Sequence, residues 1–175
     1  FRVISSPSEL RDLIYEKNKL NNRSRLVAGY CWDWESKKDP AAYDIVFDEY
    51  DFRMRWNLAD DGMLWIMKES SVDQIGCIHT CQGLELDYVG VIIGEDMTLG
   101  NGSIQTSAFK RSSQDSTIKG FKGLSKQDPL KAEVLADVII KNTYRTLMTR
   151  GMKGCYVYCV DEALADHLSK SRANS

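Results

Sequence analysis

Apolar residues dominate three short stretches of the chain, and these stretches predict the inner strands of a sheet. The most apolar is residues 88–93 (YVGVII), in which no polar side chain stands at alternate positions. Such a strand is typical of a parallel sheet that helices cover on both faces. Residues 25–30 (RLVAGY) and 155–160 (CYVYCV) are similarly apolar, so we expect them to be neighbouring strands.

Three helices are predicted between and after these strands, each from its start signal. Ser6 and Glu9 form a capping-box pattern around Pro7, which suits the first helical position. An Asp-Pro pair at 128–129 opens the longest helix, and Asp161 caps the last one. This order of strands and helices predicts a three-layer α/β domain with a mostly parallel central sheet. The apolar stripe of the longest helix is predicted to consist of Val134, Leu135, Val138 and Ile139.

A first hairpin is predicted ahead of the most apolar strand. Residues 45–58 and 63–68 have strand-like composition, and the sequence DDG at 60–62 between them is a turn signal. We expect Trp56 and Trp65 to stack across this hairpin.

A second hairpin and a long polar segment are predicted after that strand. The sequence GNG at 100–102 is a hairpin turn between Met97 and Ile104. Residues 107–127 are rich in Ser, Lys and Gln and have no apolar period. We therefore predict a hairpin and flexible insertion over residues 95–127, within a single domain that covers residues 1–175.

Length and charge indicate the class of protein, but they do not identify its binding partners. With 175 residues and 43% hydrophobic content, the chain can form one core. Its formal net charge of −2 does not by itself indicate nucleic acid, although a local basic groove is compatible with it. No apolar run is long enough for a transmembrane helix and no signal segment opens the chain, so no membrane partner is expected. Because residue 1 is Phe, we expect a piece of a longer protein.

The five cysteines allow two interpretations. Their odd number predicts reduced thiols and a cytoplasmic protein. The pairs Cys77/Cys81 and Cys155/Cys159 have a spacing that could hold zinc. However, Cys155 and Cys159 bracket a strand, which would place both thiols on one buried face. We favour that second interpretation and predict no metal site.

Two polar stretches beside the predicted strands carry the candidate chemistry. Residues 76–94 (GCIHTCQGLELDYVGVIIG) place His, Thr, Gln and Glu immediately before the most apolar strand. Residues 141–159 (KNTYRTLMTRGMKGCYVYC) place Arg150 at the end of a helix, just before another strand. An isolated arginine there would be a solvated charge that favours the helix dipole.

Together and in this order, the two stretches resemble motifs V and VI of superfamily 1 helicases, which lie in the second RecA-like domain. The strings RLVAGYCWDW, CIHTCQGLELDYVGVIIG and NTYRTLMTRGMKGCYVYC are similar to an uncharacterised bacterial family of Schlafen-like, helicase-type ATP-binding proteins. The resemblance runs from about residue 25 to the end of the chain. It implies a RecA-like fold of the P-loop NTPase type and a C-terminal position in the full protein.

The resemblance also implies a nucleotide site. In such NTPases, ATP and Mg²⁺ lie between two RecA-like domains and are bound mainly by the N-terminal one, which would be this domain's partner. Arg150 would contact the γ-phosphate and neutralise charge in the transition state. Glu85 would accept a hydrogen bond from the ribose, and Gly83 would let the backbone approach the nucleotide. Gln82 would lie near the phosphates or relay their state, and Arg145 would be a second phosphate sensor or pair with an acidic neighbour.

His79 and Thr80, at the start of motif V, would contact the backbone of single-stranded DNA or RNA. Alternatively, His79 is a hydrogen-bonded loop residue and Thr80 caps a turn at residues 82–85. Arg25 is a candidate for the arginine of motif IV. Trp32 and Trp34 would stack on bases or, as is commoner beside a strand end, pack in the core.

Two departures from the family pattern limit what this chain does alone. It has no G-x-x-x-x-G-K-[ST] loop and no acidic Walker B run, so we expect it not to hydrolyse ATP by itself. Asn142 stands where many motif VI helices have an arginine, which affects strand separation more than ATP hydrolysis. The predicted function is the C-terminal half of an ATP-dependent helicase-like NTPase, and the alternative is a regulatory module that switches without unwinding.

Overall fold

The computed structural model describes residues 1–57, 65–81 and 83–173. Within them, the chain forms nine strands and five α-helices joined by short 3₁₀ turns. In chain order they are β1 (Arg2–Val3), α1 (Pro7–Asn18), β2 (Ser24–Ala28), β3 (Ile45–Phe47), β4 (Phe52–Trp56), β5 (Gln74–Gly76), α2 (Ile78–Cys81), β6 (Leu86–Ile93), β7 (Met97–Gly100), β8 (Ser103–Thr106), α3 (Phe121–Gln127), α4 (Pro129–Met148), β9 (Gly151–Cys159) and α5 (Glu162–Ala173).

Seven of these strands form one sheet in the order β1-β9-β6-β2-β5-β4-β3. All neighbours are parallel except β3 and β4, which pair antiparallel at the sheet edge. β7 and β8 form a separate antiparallel hairpin. The prediction of an α/β fold with a mostly parallel central sheet is therefore confirmed, and the strand arrangement is compatible with a RecA-like domain.

The two faces of the sheet are buried under different helices, because side chains alternate along each strand. Leu26 and Ile92 lie in the core cluster that also contains Leu10 and Ile14 of α1. The residues that alternate with them lie in the other cluster, with residues of α4 and with Leu164 of α5. Gly90 leaves room for α1, since a Cβ there would stand 2.8 Å from Ile14 and 2.7 Å from Leu26. Both faces of β6 are covered, as its composition predicted.

The three predicted helix starts are confirmed by their capping bonds. The hydroxyl of Ser6 accepts a hydrogen bond from the Glu9 N–H at 3.1 Å. The carboxylate of Asp128 accepts one from the Lys131 N–H at 3.1 Å, and that of Asp161 accepts one from the Leu164 N–H at 2.7 Å. Each bond satisfies a donor that the first turn of a helix leaves without an intrahelical partner.

The predicted apolar stripe of α4 is wrong. Val134 and Val138 are 65% and 50% exposed, and Leu135 is also exposed. The buried stripe lies on the other side of the helix and includes smaller residues, which allow the helix to approach β6 closely. It consists of Ala132, Ala136, Ile140, Thr143, Tyr144 and Leu147.

The first predicted hairpin is also wrong in its pairing. The antiparallel partner of β4 is β3, and residues 65–67 form a 3₁₀ turn rather than a strand. Trp56 and Trp65 are both buried but belong to the two core clusters on opposite faces of the sheet, so they do not stack. The DDG turn at 60–62 lies outside the described residues.

The second hairpin is confirmed, with its turn at Asn101 and Gly102, whose φ angles are 51° and 76°. The segment 107–127 contains structure that its composition did not predict, including α3 and a buried ion-pair cluster. In that cluster, Arg111 bonds Asp96 at 2.6 Å and Asp115 at 2.5 Å, and all three side chains are buried. The flexibility of the insertion remains a prediction.

Within the described residues, no helix combines the length and the apolar content needed to cross a membrane.

Candidate functional site

The loop before β6 lies at the edge of the sheet where the central parallel strands begin. Gly83 has a left-handed backbone, with φ of 79°, and no atom lies within 4 Å of the position that a Cβ would occupy. Leu84 follows and donates its N–H to the carbonyl of Cys81 at 3.2 Å. The exposed Glu85 has no hydrogen bond or ion pair through its carboxylate to any other described residue. This loop therefore presents open backbone and a free acceptor at the amino-terminal edge.

Arg150 lies beside this loop, at the junction of α4 and β9. Its carbonyl accepts the N–H of Leu86 at 2.9 Å, which ties the starts of β6 and β9 together. Its Nη1 is 3.5 Å from the carbonyl oxygen of Leu84, and its Nε donates to the carbonyl of Thr146 at 3.2 Å. The side chain is half-buried, and no described carboxylate forms an ion pair with it. A guanidinium held by neutral carbonyls keeps its charge available to an anion.

Residues before β2 complete this edge, and sequence analysis missed them. Arg23 donates through Nη2 to the carbonyl oxygen of Glu85 at 3.3 Å. Asn21, Asn22 and Arg23 line a cavity of about 540 Å³ together with the loop at residues 83–85. The signal was present in the topology: parallel neighbours begin at the same edge, so the residues before β2 meet those before β6.

Asp87 fixes the geometry of this edge. Its carboxylate accepts hydrogen bonds from Lys153 at 2.7 Å and from Asn21 at 2.6 Å, and Arg23 lies 3.7 Å away. The hydrogen bond from Lys153, followed by that from Asn21, lowers the pKa of Asp87 below its usual range. The carboxylate thus stays ionised and holds the segments before β2, within β6 and within β9 in register.

Arg145 gains no contact at this edge from the described residues. Arg145 lies on α4 with an exposed side chain, and the structure gives it no ion pair or side-chain hydrogen bond with another described residue. The acidic partner considered for it is therefore not found among those residues. Gln82 lies outside the described residues.

The opposite edge of the sheet holds His79 and Thr80, on α2. The hydroxyl of Thr80 accepts the N–H of Cys77 at 2.8 Å and donates to its carbonyl at 3.0 Å. Thr80 thus closes the turn that precedes it, and the expected turn at residues 82–85 begins at a residue outside the described ranges. His79 is exposed, and its Nε2 lies 3.3 Å from the hydroxyl of Ser116. Both residues line a second cavity, of about 640 Å³.

Arg25 is not available as a site residue. Its side chain is 0% exposed and donates seven hydrogen bonds, all to neutral oxygens. The acceptors are side chains or carbonyls of residues 18–24 and 66–71, so the guanidinium organises the segment that leads into β5. As the candidate for the motif IV arginine, Arg25 therefore has a structural role in this fold rather than a side chain open to a ligand.

Four of the five cysteines are buried in the core, and Cys31 is half-buried. Cys155 and Cys159 lie in the same cluster on one face of β9, as predicted, and Cys81 is buried in that cluster as well. Burial raises the pKa of each of these three thiols to about 12. No group of three or more His, Cys, Asp or Glu side chains in the described ranges is placed to hold a metal ion.

The two tryptophans after β2 have different surroundings: one packs against other aromatic rings, and the other lines a cavity. Trp32 packs edge-on against Phe47 at 5.9 Å between ring centroids and lies 6.5 Å from Trp56. Trp34 is half-buried and lines the second cavity.

Comparison with known proteins supports a helicase-like family for this chain. Residues 1–161 match the family model "Schlafen group 3, DNA/RNA helicase domain". The chain is also 26% identical over 170 residues to the uncharacterized protein YPL245W of Saccharomyces cerevisiae, strain ATCC 204508 / S288c. That match covers 96% of this chain but 36% of the yeast protein, so the chain spans about a third of its relative. No solved structure matches the chain significantly. Because the family model covers most of the sequence, the chain belongs to the Schlafen group 3 DNA/RNA helicase domain family.

Proposed function

We propose that this chain is the second RecA-like domain of an ATP-dependent, helicase-like NTPase that acts on DNA or RNA. It supplies an arginine to ATP held mainly by an N-terminal RecA-like domain of the same protein. Family membership supports the helicase-like class. The observation that carries the more specific proposal is Arg150, whose guanidinium lies on the loop at residues 83–85 without a described carboxylate.

The amino-terminal edge fits a nucleotide that approaches from outside. Arg150 and Arg23 bring two cations to a loop whose glycine leaves its backbone accessible. In this proposal, Arg150 offers planar N–H donors to the γ-phosphate, where an arginine typically accelerates phosphoryl transfer about 10³- to 10⁵-fold. Glu85, whose carboxylate has no described partner, accepts a hydrogen bond from a ribose hydroxyl. The Mg²⁺ that accompanies ATP would be held mainly by the N-terminal partner domain, where it would neutralise phosphate charge.

Gln82 and Arg145 remain secondary members of the proposed nucleotide site. Arg145 is exposed near the end of α4 and would have to turn toward the phosphates to act as a sensor. Gln82 directly precedes Gly83, so it belongs to the proposed site by its position in the sequence.

The test is the Arg150→Ala variant of the full-length protein. We expect ATP turnover to fall about 10³-fold or more, because transition-state charge is no longer neutralised, while ATP binding is largely retained. Lys141→Ala is the matched control, since Lys141 is an exposed cation on α4, the helix that ends just before Arg150, and has an ion pair to Asp137. Turnover by Arg150→Ala within a few-fold of the unchanged protein would remove Arg150 from the site.

A regulatory NTPase that switches without unwinding is the second candidate, and one observation favours it. The hydroxyl of Thr80 is bonded to Cys77, and the ring of His79 is bonded to Ser116, so both predicted nucleic-acid contacts have internal partners. Measuring ATP turnover with and without single-stranded DNA or RNA separates the two functions. Stimulation supports the helicase-like enzyme, and turnover that ignores both nucleic acids supports the regulatory module.

A further inference from the structure

A cavity of about 640 Å³ lies at the edge of the sheet where β2, β4 and β5 end. Its volume is within the range of about 300–1,000 Å³ that is usual for ligand pockets in proteins. Three aromatic residues, Tyr30, Trp34 and Trp56, line it, and Lys37 and Lys38 stand at its exposed rim. Flat apolar rings next to cations fit a ligand that is planar on one side and anionic on another.

The indole of Trp34 is held in place before any ligand arrives. Its Nε1–H donates to the hydroxyl of Ser36 at 3.1 Å, and that hydroxyl donates to the carboxylate of Asp44 at 2.6 Å. The backbone N–H of Trp34 donates to the side chain of Gln114 at 2.9 Å. Lys37 places its ammonium 5.2 Å from the ring centroid. A ring fixed by its own hydrogen bonds loses little further conformational entropy when a flat ligand stacks on it.

Asn57 supplies the polar group that such a ligand needs. The residue is 6% exposed and lines the cavity, and its backbone N–H is bonded to the carbonyl of Ile75 at 2.9 Å. Its side-chain amide has no hydrogen-bond partner among the described residues, so its donors and its acceptor are open to a ligand in the cavity. A carboxamide offers one acceptor and two donors, which match the edge of a nucleobase.

We propose that this cavity binds one unstacked base of a single-stranded nucleic acid. Trp34 stacks on the base, Asn57 bonds its edge, and Lys37 and Lys38 contact the adjoining phosphates. The inference rests on the proposed function, since the strand that provides the base is the one expected at His79, which lines the same cavity. A duplex keeps its bases paired and stacked, so the cavity selects single strands.

The test uses the full-length protein and a labelled short oligonucleotide, with binding measured by fluorescence anisotropy. We expect Trp34→Ala to weaken binding roughly 5- to 150-fold, the effect typical of losing one base–aromatic stack. Trp34→Phe, which keeps an aromatic face, restores most of the affinity. We also expect an oligonucleotide of the same length with abasic sites to bind the unchanged protein weakly. Its affinity should equal that of the normal oligonucleotide for the Trp34→Ala variant.

Asn57→Leu separates recognition from a structural role. Because the variant breaks no side-chain hydrogen bond to a described residue, we expect the melting temperature to stay nearly unchanged while oligonucleotide binding weakens. A fall in melting temperature with unchanged binding would assign Asn57 to the core. Phe109→Ala is the control, since Phe109 is an exposed ring that lies outside this cavity, and its affinity should match the unchanged protein.

Three results would overturn the proposal: equal affinity of Trp34→Ala and the unchanged protein, equal binding of normal and abasic oligonucleotides, or a preference for duplex. A free nucleoside monophosphate that binds the cavity more tightly than the strand would replace the strand as the source of the base. The oligonucleotide result does not depend on Arg150: if Arg150→Ala retains ATP turnover, the proposed role of Arg150 fails while the oligonucleotide result stands.

Discussion

Arg25 is a charged residue that the core holds without a described carboxylate. Seven neutral oxygens accept its hydrogen bonds, and its guanidinium carbon lies 5.9 Å from the centroid of the Trp65 ring. Burial lowers the pKa of Arg25 to about 10, which still leaves it charged at neutral pH. Because the chain supplies every donor with an acceptor, the desolvation of the charge is offset locally.

We therefore expect Arg25→Met to destabilise the protein by about 3 kcal/mol, since it leaves several buried carbonyls without donors. Chemical denaturation of the two proteins measures this difference. Arg53→Met is the control, because Arg53 is an exposed strand arginine paired with Asp48 and should change stability by less than about 1 kcal/mol. Similar values for both variants would mean that the buried network contributes no more than a surface ion pair.

The predicted site residues lie where the sequence indicates that a strand begins. Gly83, Glu85 and Arg150 each precede an apolar run by a few positions, so their edge of the sheet could be predicted. Arg23 has the same relation to β2 but no recognised motif, and only the strand order brings it to Glu85. The internal hydrogen bonds of Thr80 and Arg25 could not be predicted from the sequence, because each depends on which polar atoms the fold brings within reach.

At the level of elements, Arg111 connects the insertion to the rest of the domain. Its ion pairs to Asp96 and Asp115 are fully buried, and Asp96 also accepts a hydrogen bond from the hydroxyl of Tyr144 on α4. The cluster joins the end of β6, the insertion and α4. A segment with polar composition is thereby attached to the sheet through a few buried charges rather than through an apolar stripe.

Removing that cation should loosen the insertion. We expect Arg111→Met to cost about 3–5 kcal/mol, because two carboxylates remain buried without their partner. Hydrogen exchange over residues 107–120 should accelerate more than in α1, α4 and α5. Lys110→Met provides the neighbouring control: Lys110 forms an exposed ion pair with Glu95, so its loss should be nearly neutral. Unchanged exchange in Arg111→Met would show that other contacts hold the insertion.

The long helix illustrates why an apolar pattern can mislead. Val134 and Val138 form a plausible stripe at helical spacing, yet the buried side is lined by Ala132, Ala136 and Ile140. Small residues permit closer contact between a helix and a sheet, and hydrophobicity alone does not reveal this preference. Element types and their order followed from periodicity and caps, whereas the face of α4 and the pairing of β4 depended on tertiary packing.

For the whole molecule, the buried thiols make stability depend on alkaline pH. Cys81, Cys155 and Cys159 have an ordinary pKa of 9.0, and burial raises it to about 12 in the folded protein. Above about pH 9 the unfolded chain loses these protons while the folded chain keeps them, so stability falls as pH rises toward 12. Between pH 9 and pH 10 each thiol should remove about 1 kcal/mol from the free energy of unfolding.

Chemical denaturation at several pH values checks this slope, and a Cys155→Ala/Cys159→Ala double variant should flatten it. Arg25 has the opposite effect on stability, because its folded pKa of about 10 lies below the ordinary 12.5. Its contribution to the free energy of unfolding therefore rises with pH above pH 10. A slope that the double variant leaves unchanged would assign the alkaline loss of stability to other groups, such as the buried tyrosines.

The connection between β5 and β6 is short. The single turn of α2 and the loop at residues 83–85 carry the chain from the cavity beside His79 to the guanidinium of Arg150. If ATP and a nucleic-acid strand occupy these two places, each must change the other's dissociation constant by the same factor. Titrating ATP with and without the strand, and then the strand with and without ATP, must therefore give one common ratio, whatever conformational change accompanies either ligand.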